Sequence, residues 1–237
     1  MIYLNSRRNS VETAELAELI KSRRSIRAWQ DKPVPEEMLL QAVDLATWAP
    51  NGANAQSWYF YVVLDRNTIK AIADASQAGM RTYASWPETA QFGRPPLPAR
   101  APQGASAPTP PRRSPLSEAP AMILIGARRT ESPTTRVLSE RAKVDERAAR
   151  MLQWNNYLNP RLQSACAGIA YLLLVLHQMG LGATWMTGPL TNAKGEIEEI
   201  LKVPSDMDIV ALIPVGYPAD SPTGQRKPVS EVCDVIK

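Results

Sequence analysis

Residues 161–179 run RLQSACAGIAYLLLVLHQM. Leu162, Cys166, Ile169, Leu173 and Leu176 recur at helical spacing, while Ala165, Ala170, Leu172, Leu174 and Val175 fill the other sides. The pattern predicts a helix, Arg161 to Met179, buried all round. Pro160 permits its start, and Gly180 and Gly182 stop it. Its uninterrupted apolar part, Ala165 to Leu176, is 12 residues long. Crossing a bilayer takes roughly 20, so the segment is expected in the core of a soluble, cytoplasmic protein with no membrane partner.

Working outward, the strands that such a helix would cover are Trp58 to Leu64, Met122 to Ile125, Ala183 to Met186 and Ile209 to Val215, all aromatic, β-branched or continuously apolar. Further helices are expected at Val11 to Ser22, from Glu36 with a stripe of Leu39, Ala42, Val43 and Ala46, at Asn67 to Ala78, Ser139 to Leu158 and Asn192 to Lys202, and as a small element at Val229 to Ile236. Strands and helices mix without a regular βαβ repeat, and no GxGxxG follows a strand. The expectation is α+β, a single domain over residues 1–237 with one central mixed or antiparallel sheet flanked by helices.

Nine of the 21 prolines lie between Pro95 and Pro120. Residues 93–120 also hold Arg94, Arg100, Arg112 and Arg113 against Glu118, so they supply +3 of the chain's net charge of +4. With almost no large apolar side chain they cannot offset the entropy of ordering, and a mobile inserted loop, a possible lid, is expected. The remaining body is nearly neutral, which argues against a nucleic-acid partner. One histidine and two distant cysteines exclude the common metal-ligand sets and a disulfide scaffold. Arg7, Arg8, Glu12 and Glu15 interrupt the apolar stretch a secretion signal would need.

Four polar clusters could carry chemistry. Arg23-Arg24-Ser25-Ile26-Arg27 offers three planar, permanently charged guanidiniums and a hydroxyl, suited to a phosphate; a solvated basic turn is the plainer alternative. Ala49-Pro50-Asn51-Gly52-Ala53-Asn54-Ala55-Gln56-Ser57-Trp58 combines small residues with amide donors and acceptors that match the edge of a heteroaromatic ring, or it is an ordinary helix-to-strand turn. Ala183-Thr184-Trp185-Met186-Thr187-Gly188-Pro189 is a strand end whose backbone N–H groups can reach a ligand, or a simple strand terminus. Thr223-Gly224-Gln225-Arg226-Lys227-Pro228 either closes on the same anion as the first cluster or is a solvated tail. His177 fits a helix-terminal residue facing the last carbonyls, and Cys166 an inert core thiol. Trp154 and Trp185 fit either substrate space or core.

In this order the four clusters resemble the N-terminal signature, central turn and C-terminal basic motif of the nitroreductase family, with further matches at Met179-Gly180-Leu181-Gly182, Leu201-Lys202-Val203-Pro204 and Pro214-Val215-Gly216-Tyr217-Pro218. The resemblance implies a nitroreductase-like fold whose long buried helix lies at a homodimer interface. It implies FMN as cofactor and NADH or NADPH as hydride donor. Arg23 then lies near the flavin phosphate, with Arg24 beside it as a variable neighbour, Ser25 in the same site, and Arg27 at the pyrimidine edge. Pro50, Asn51, Gly52 and Asn54, with Gln56, would come from the partner subunit; Asn51 stands where serine is common. Thr187 and Gly188 lie at the flavin N5 turn, and Arg226 contacts the phosphate. No protein residue is catalytic in this scheme, because flavin N5 carries the chemistry.

The implied reaction is reduction of a nitroaromatic, quinone or related small aromatic acceptor by a ping-pong mechanism. A reductive dehalogenase, a flavin-fragmenting branch and a non-enzymatic flavin- or polyanion-binding protein are the alternatives. Gly79-Met80-Arg81-Thr82-Tyr83 departs from the family pattern, which places an Asn and a Lys against the flavin there. The Pro-rich insertion lies outside the common core.

Overall fold

The computed structural model describes residues 11–92, 115–129 and 132–237. Four strands form one sheet: β1 (Trp58–Val63), β2 (Ala121–Arg128), β3 (Gly182–Ala183) and β4 (Met207–Gly216), in the order β1-β2-β4-β3 with every neighbour antiparallel. Among the described residues the one parallel pairing is an isolated bridge between Ser25 and Ala183.

β2 is buried on both faces, which is why its sequence is continuously apolar rather than alternating. Its side chains still divide by period 2. Ala121, Ile123, Ile125 and Ala127 join a core with Leu39, Ala42, Ala46, Ala165, Ile169, Leu172 and Leu176. Met122 and Leu124 face Ile69, Ile72, Ala73, Ile197 and Leu212 on the other side. The sheet is therefore a middle layer. One face is covered by α2 (Glu36–Ala46) and α8 (Pro160–Gln178), the other by α3 (Arg66–Ser85) and α9 (Gly188–Ile200). The remaining helices are α1 (Thr13–Ser22), α4 (Pro87–Phe92), α5 (Pro115–Glu118), α6 (Pro133–Arg141) and α7 (Glu146–Leu158).

Several expectations are corrected. Ser139 to Leu158 is not one helix: α6 ends at Arg141, and Asp145 caps a new helix by accepting from the N–H groups of Arg147 and Ala148. α3 runs seven residues past Ala78, and β3 is shorter than expected, with Met186 instead making an isolated bridge to Leu212. α9 starts at Gly188 rather than Asn192 and is kinked at Ala193, where φ is −148°. The C-terminal helix reduces to a 3-10 turn, Val229–Glu231.

The long helix is not buried all round within one chain. Asn159, in the left-handed region at φ 43°, ends α7 and caps α8 through its Oδ1, and Pro160 opens α8. Ser164, Ala165, Gly168, Ile169, Leu172, Leu173 and Leu176 face inward, while Leu162, Ala170 and Tyr171 remain exposed. Of the expected mobile loop, residues 93–114 lie outside the described residues. Its last part is packed: Leu116 and Ala119 are buried, and Arg66 donates to the Ala119 carbonyl at 2.7 Å.

Candidate functional site

Beyond Ser22 the chain is extended, and Ile26 N–H donates to the Ala183 carbonyl at 3.1 Å. Side chains alternate along extended backbone, so the buried Ile26 leaves Ser25 and Arg27 on the opposite face. Trp29 Nε1–H donates to the Gly182 carbonyl at 2.9 Å, and Gln30 N–H to the Tyr217 carbonyl at 2.9 Å. These bonds hold the basic segment against β3 and the exit of β4. Gly182 permits the approach, because a Cβ there would lie 2.7–2.8 Å from three atoms of the Ile26 side chain.

Arg23 and Arg24 are half-buried, and Arg226 comes up beside them from the C-terminal segment. A Cβ placed on Gly224 would be 3.6 Å from Arg24 Nε and 3.7 Å from Arg226 Nη1. Burial, then repulsion from Arg226 and Arg24, lowers the Arg23 pKa below the usual arginine value. Among the described residues none of Arg23, Arg24, Arg27 and Arg226 pairs with a carboxylate. Arg24 Nη1 donates to the carbonyls of Lys21 and Arg23, but its buried Nε has no acceptor. Three guanidiniums held together without an acid, one with an orphaned buried N–H, form a cradle for an oxyanion.

His177, at the last turn of α8, does not turn to the helix carbonyls. Its Nε2 lies 2.9 Å from the Ser22 hydroxyl. Burial, followed by the charges of Arg23 and Arg24, pushes its pKa down. Cys166 is half-buried rather than fully in the core, and burial raises its pKa. Trp154 is exposed and Trp185 partly so.

The loop after α2 is a 3-10 turn, Gly52–Asn54, held by its own amides. Gln56 N–H donates to Asn51 Oδ1 at 2.9 Å, Asn51 Nδ2 to the Ala49 carbonyl, and Gln56 Nε2 to Asn54 Oδ1 at 3.2 Å. Ala53, Asn54 and Gln56 all have φ near +50°. Three non-glycine residues in the left-handed region within four positions mark a constrained loop, the kind of strain that clusters at ligand sites. Gly52 N–H reaches Ser164 Oγ at 3.4 Å, which fixes the loop against the first turns of α8.

Three residues separate β3 from the turn at Thr187 and Gly188, so Thr187 is four residues from Ala183, the bridge partner of Ser25. Four residues span at most about 14 Å. Thr184, in that stretch, is wholly buried with a hydroxyl that finds no partner. The structure thus gathers Arg23, Arg24, Ser25, Arg27 and Arg226 beside the β3 turn, at the C-terminal end of α8. It does not bring Pro50, Asn51, Gly52, Asn54 and Gln56 to them. Their anchor, Ser164, lies 13 residues from His177 along α8, a rise of about 20 Å.

A second charged cluster escaped sequence reasoning because its members are far apart in the chain. Asp208, with 15% of its side chain exposed, pairs with Arg129, Arg161 and Lys194. It accepts two bonds from Arg129 and one each from Arg161 and Lys194, and these hold its pKa far below the ordinary carboxylate range. Arg161 also donates to the Ala127 carbonyl at 2.8 Å, so the cluster ties β2, β4, α8 and α9 together and has a structural rather than a ligand-binding geometry. No group of three or more His, Cys, Asp or Glu suited to a metal ion occurs among the described residues, and no described helix is long and apolar enough to cross a membrane.

The basic strip, the close approach at Gly182 and the turn that opens α9 thus lie on neighbouring segments of one chain. Residues 20–217 match the model of the nitroreductase family, and the chain belongs to that family. It is 30% identical over 224 residues to an iodotyrosine deiodinase of Drosophila melanogaster, covering 92% of this chain and 68% of that protein. An NADH dehydrogenase of Thermus thermophilus is 28% identical over 210 residues, 84% of each chain. Among solved structures, a BluB-like flavoprotein from Clostridium difficile 630 superimposes with a TM-score of 0.72 at 23% identity, covering 96% of this chain and 100% of that one.

Proposed function

We propose that the chain is an FMN-dependent oxidoreductase with its flavin sites at a homodimer interface. The observation that carries this reading is the acid-free convergence of Arg23, Arg24 and Arg226, with an orphaned Nε on Arg24. Arg23, Ser25 and Arg226 would hold the flavin phosphate with Arg24 behind them, Arg27 would face the pyrimidine edge, and Thr187 and Gly188 would face the N5 side. FMN held by these residues would supply the redox chemistry, hydride exchange between NADH or NADPH and a nitroaromatic, quinone or related acceptor in a ping-pong cycle. The positive charge of Arg27 would favour the extra electron density of the reduced ring by Coulomb attraction.

The 20 Å or so between the basic cluster and the Asn51 loop along α8 supports the dimer. Two chains paired about a two-fold axis across the exposed side of α8 would set the Asn51 loop of each beside the guanidiniums of the other. The apolar surface suits this. Trp48 is 78% exposed, and Trp154, Tyr157, Leu158, Leu162 and Tyr171 are exposed on α7 and α8. Pro50, Asn51, Gly52, Asn54 and Gln56 then complete the partner's site.

Comparing FMN with riboflavin, which lacks the phosphate, tests the assignment. FMN should bind the flavin-free protein at least about 100-fold more tightly, and Arg23→Ala or Arg226→Ala should each remove about tenfold or more of that preference. Equal binding of the two flavins would overturn it. The similarity to a deiodinase favours reductive dehalogenation as a second reading, distinguished by release of iodide from iodotyrosine under reducing conditions.

A further inference from the structure

The Ala219 N–H donates to the Ala28 carbonyl at 3.0 Å, and this is the last bond between the segment after β4 and the basic strip. Among the described residues, no hydrogen bond or ion pair joins residues 220–237 to the rest of the chain. The bonds they make are internal. Arg226 Nη1 donates to the Gln225 carbonyl, Lys227 pairs with Glu231, and the N–H groups of Glu231 and Val232 close the turn Val229–Glu231 on the carbonyls of Pro228 and Val229. Burial does not hold the segment either, since Pro222 alone is half-buried and the others are exposed. Yet the segment carries Arg226 to the arginine cluster, where like charge opposes it. A bound phosphate would attract that guanidinium, but it offers nothing to the apolar residues that follow.

Val229, Val232, Val235 and Ile236 are 64–96% exposed. Side chains three apart eclipse in a 3-10 turn, so Val229 and Val232 share a face, and Val235 repeats the spacing. Such an apolar row is stabilised when another surface removes it from water. The two-fold pairing proposed for the flavin sites, on which this inference rests, supplies that surface. It sets each arginine cluster beside the partner's Asn51 loop. Val229 is three residues past Arg226, a reach of at most about 11 Å. Trp48 is three residues before Asn51 and strongly exposed, and Leu45, one helical turn earlier, is exposed too. The two unpartnered apolar surfaces therefore flank the same shared site from opposite subunits.

We propose that residues 229–236 of each subunit clasp the partner's Trp48 and the partner's Leu45, and that this contact holds Arg226 at the phosphate. Arg226 is then placed by the partner rather than by its own chain. The apolar faces of α7 and α8 make the dimer, and the clasp completes the anion site within it.

Asparagine at positions 229 and 232 tests the clasp without adding charge. The variant carrying Val229→Asn and Val232→Asn should remain a dimer by analytical ultracentrifugation and lose about tenfold or more in FMN affinity, as Arg226→Ala does. In the Arg226→Ala background the same two changes should cost no more than about twofold further. A label then locates the contact. Cys233 is exposed, and with Cys166→Ala it is the one thiol left to carry a bimane, whose emission an adjacent indole quenches. Labelled chains bearing Trp48→Phe should lose emission when paired with excess unlabelled chains that keep Trp48. Full FMN affinity in the asparagine variant, losses that add to that of Arg226→Ala, or a dimer whose label stays unquenched would overturn the proposal and leave the shared flavin site standing. A wild-type chain that is monomeric would overturn both.

Discussion

Gly182 shows how much of the site rests on single atoms. Its missing Cβ is the space that Ile26 occupies, and Ile26 holds the Arg23–Arg27 strip against β3. Gly182→Ala should destabilise the fold by about 1–3 kcal/mol through overpacking and weaken FMN binding beyond that of a control such as Gly195→Ala, where a Cβ meets nothing within 4 Å. Thermal denaturation and FMN titration check both parts.

The only histidine in the chain gives a second residue-level test. Burial and the neighbouring Arg23 and Arg24 charges hold His177 below the ordinary histidine pKa. An anion bound to those arginines would offset their charge, so the imidazole midpoint, followed by proton NMR, should move upward when FMN is added. An unmoved midpoint would place the phosphate elsewhere. The arginines themselves were legible in the sequence as a cluster. Their convergence with Arg226, the Ser22–His177 bond and the unpartnered Thr184 hydroxyl were not, because each depends on which distant segments meet.

At the scale of elements, hydrophobic pattern located the main strands and the long helix, since β2, β4 and α8 are long and strongly apolar, while the division into two cores emerges only from the fold. It failed where local capping overrides periodicity. Asp145 satisfies two free N–H groups and starts α7 inside a segment that looks continuously helical. Gly188-Pro189 opens α9 before its apolar stripe begins.

The link among these elements is Asp208, which the sequence shows only as one acid in a strand. Its folded pKa lies below the unfolded value. Its stabilisation is therefore present above the ordinary aspartate pKa, near pH 4, and is lost as the pH falls through the folded value. Asp208→Asn, which leaves Arg161 and Lys194 without their shared acid, should cost about 2–4 kcal/mol at pH 7. Denaturant melts at neutral and acidic pH should show that loss shrinking below about pH 4; a pH-independent difference would contradict the ion-pair origin.

For the whole molecule, one chain holds the basic cluster and the Asn51 loop at opposite ends of α8, and exposes an apolar surface on α7, α8 and after α2. The sequence suggested a helix buried all round, and the single chain buries only one side of it; a second copy would cover the rest. Trp48→Glu combined with Tyr157→Glu, at positions 78% and 87% exposed, should leave the fold intact by circular dichroism, yield a monomer by analytical ultracentrifugation, and lower FMN affinity. A variant that stays dimeric or retains full FMN affinity would refute the shared site.

The central claim, flavin-based hydride transfer, is tested most directly by the absorbance spectrum of the FMN-loaded protein under anaerobic conditions, before and after NADH or NADPH and then a nitroarene or quinone. The account predicts flavin bands that bleach with at least one nucleotide and return with the acceptor. Bands that persist with both nucleotides would contradict it.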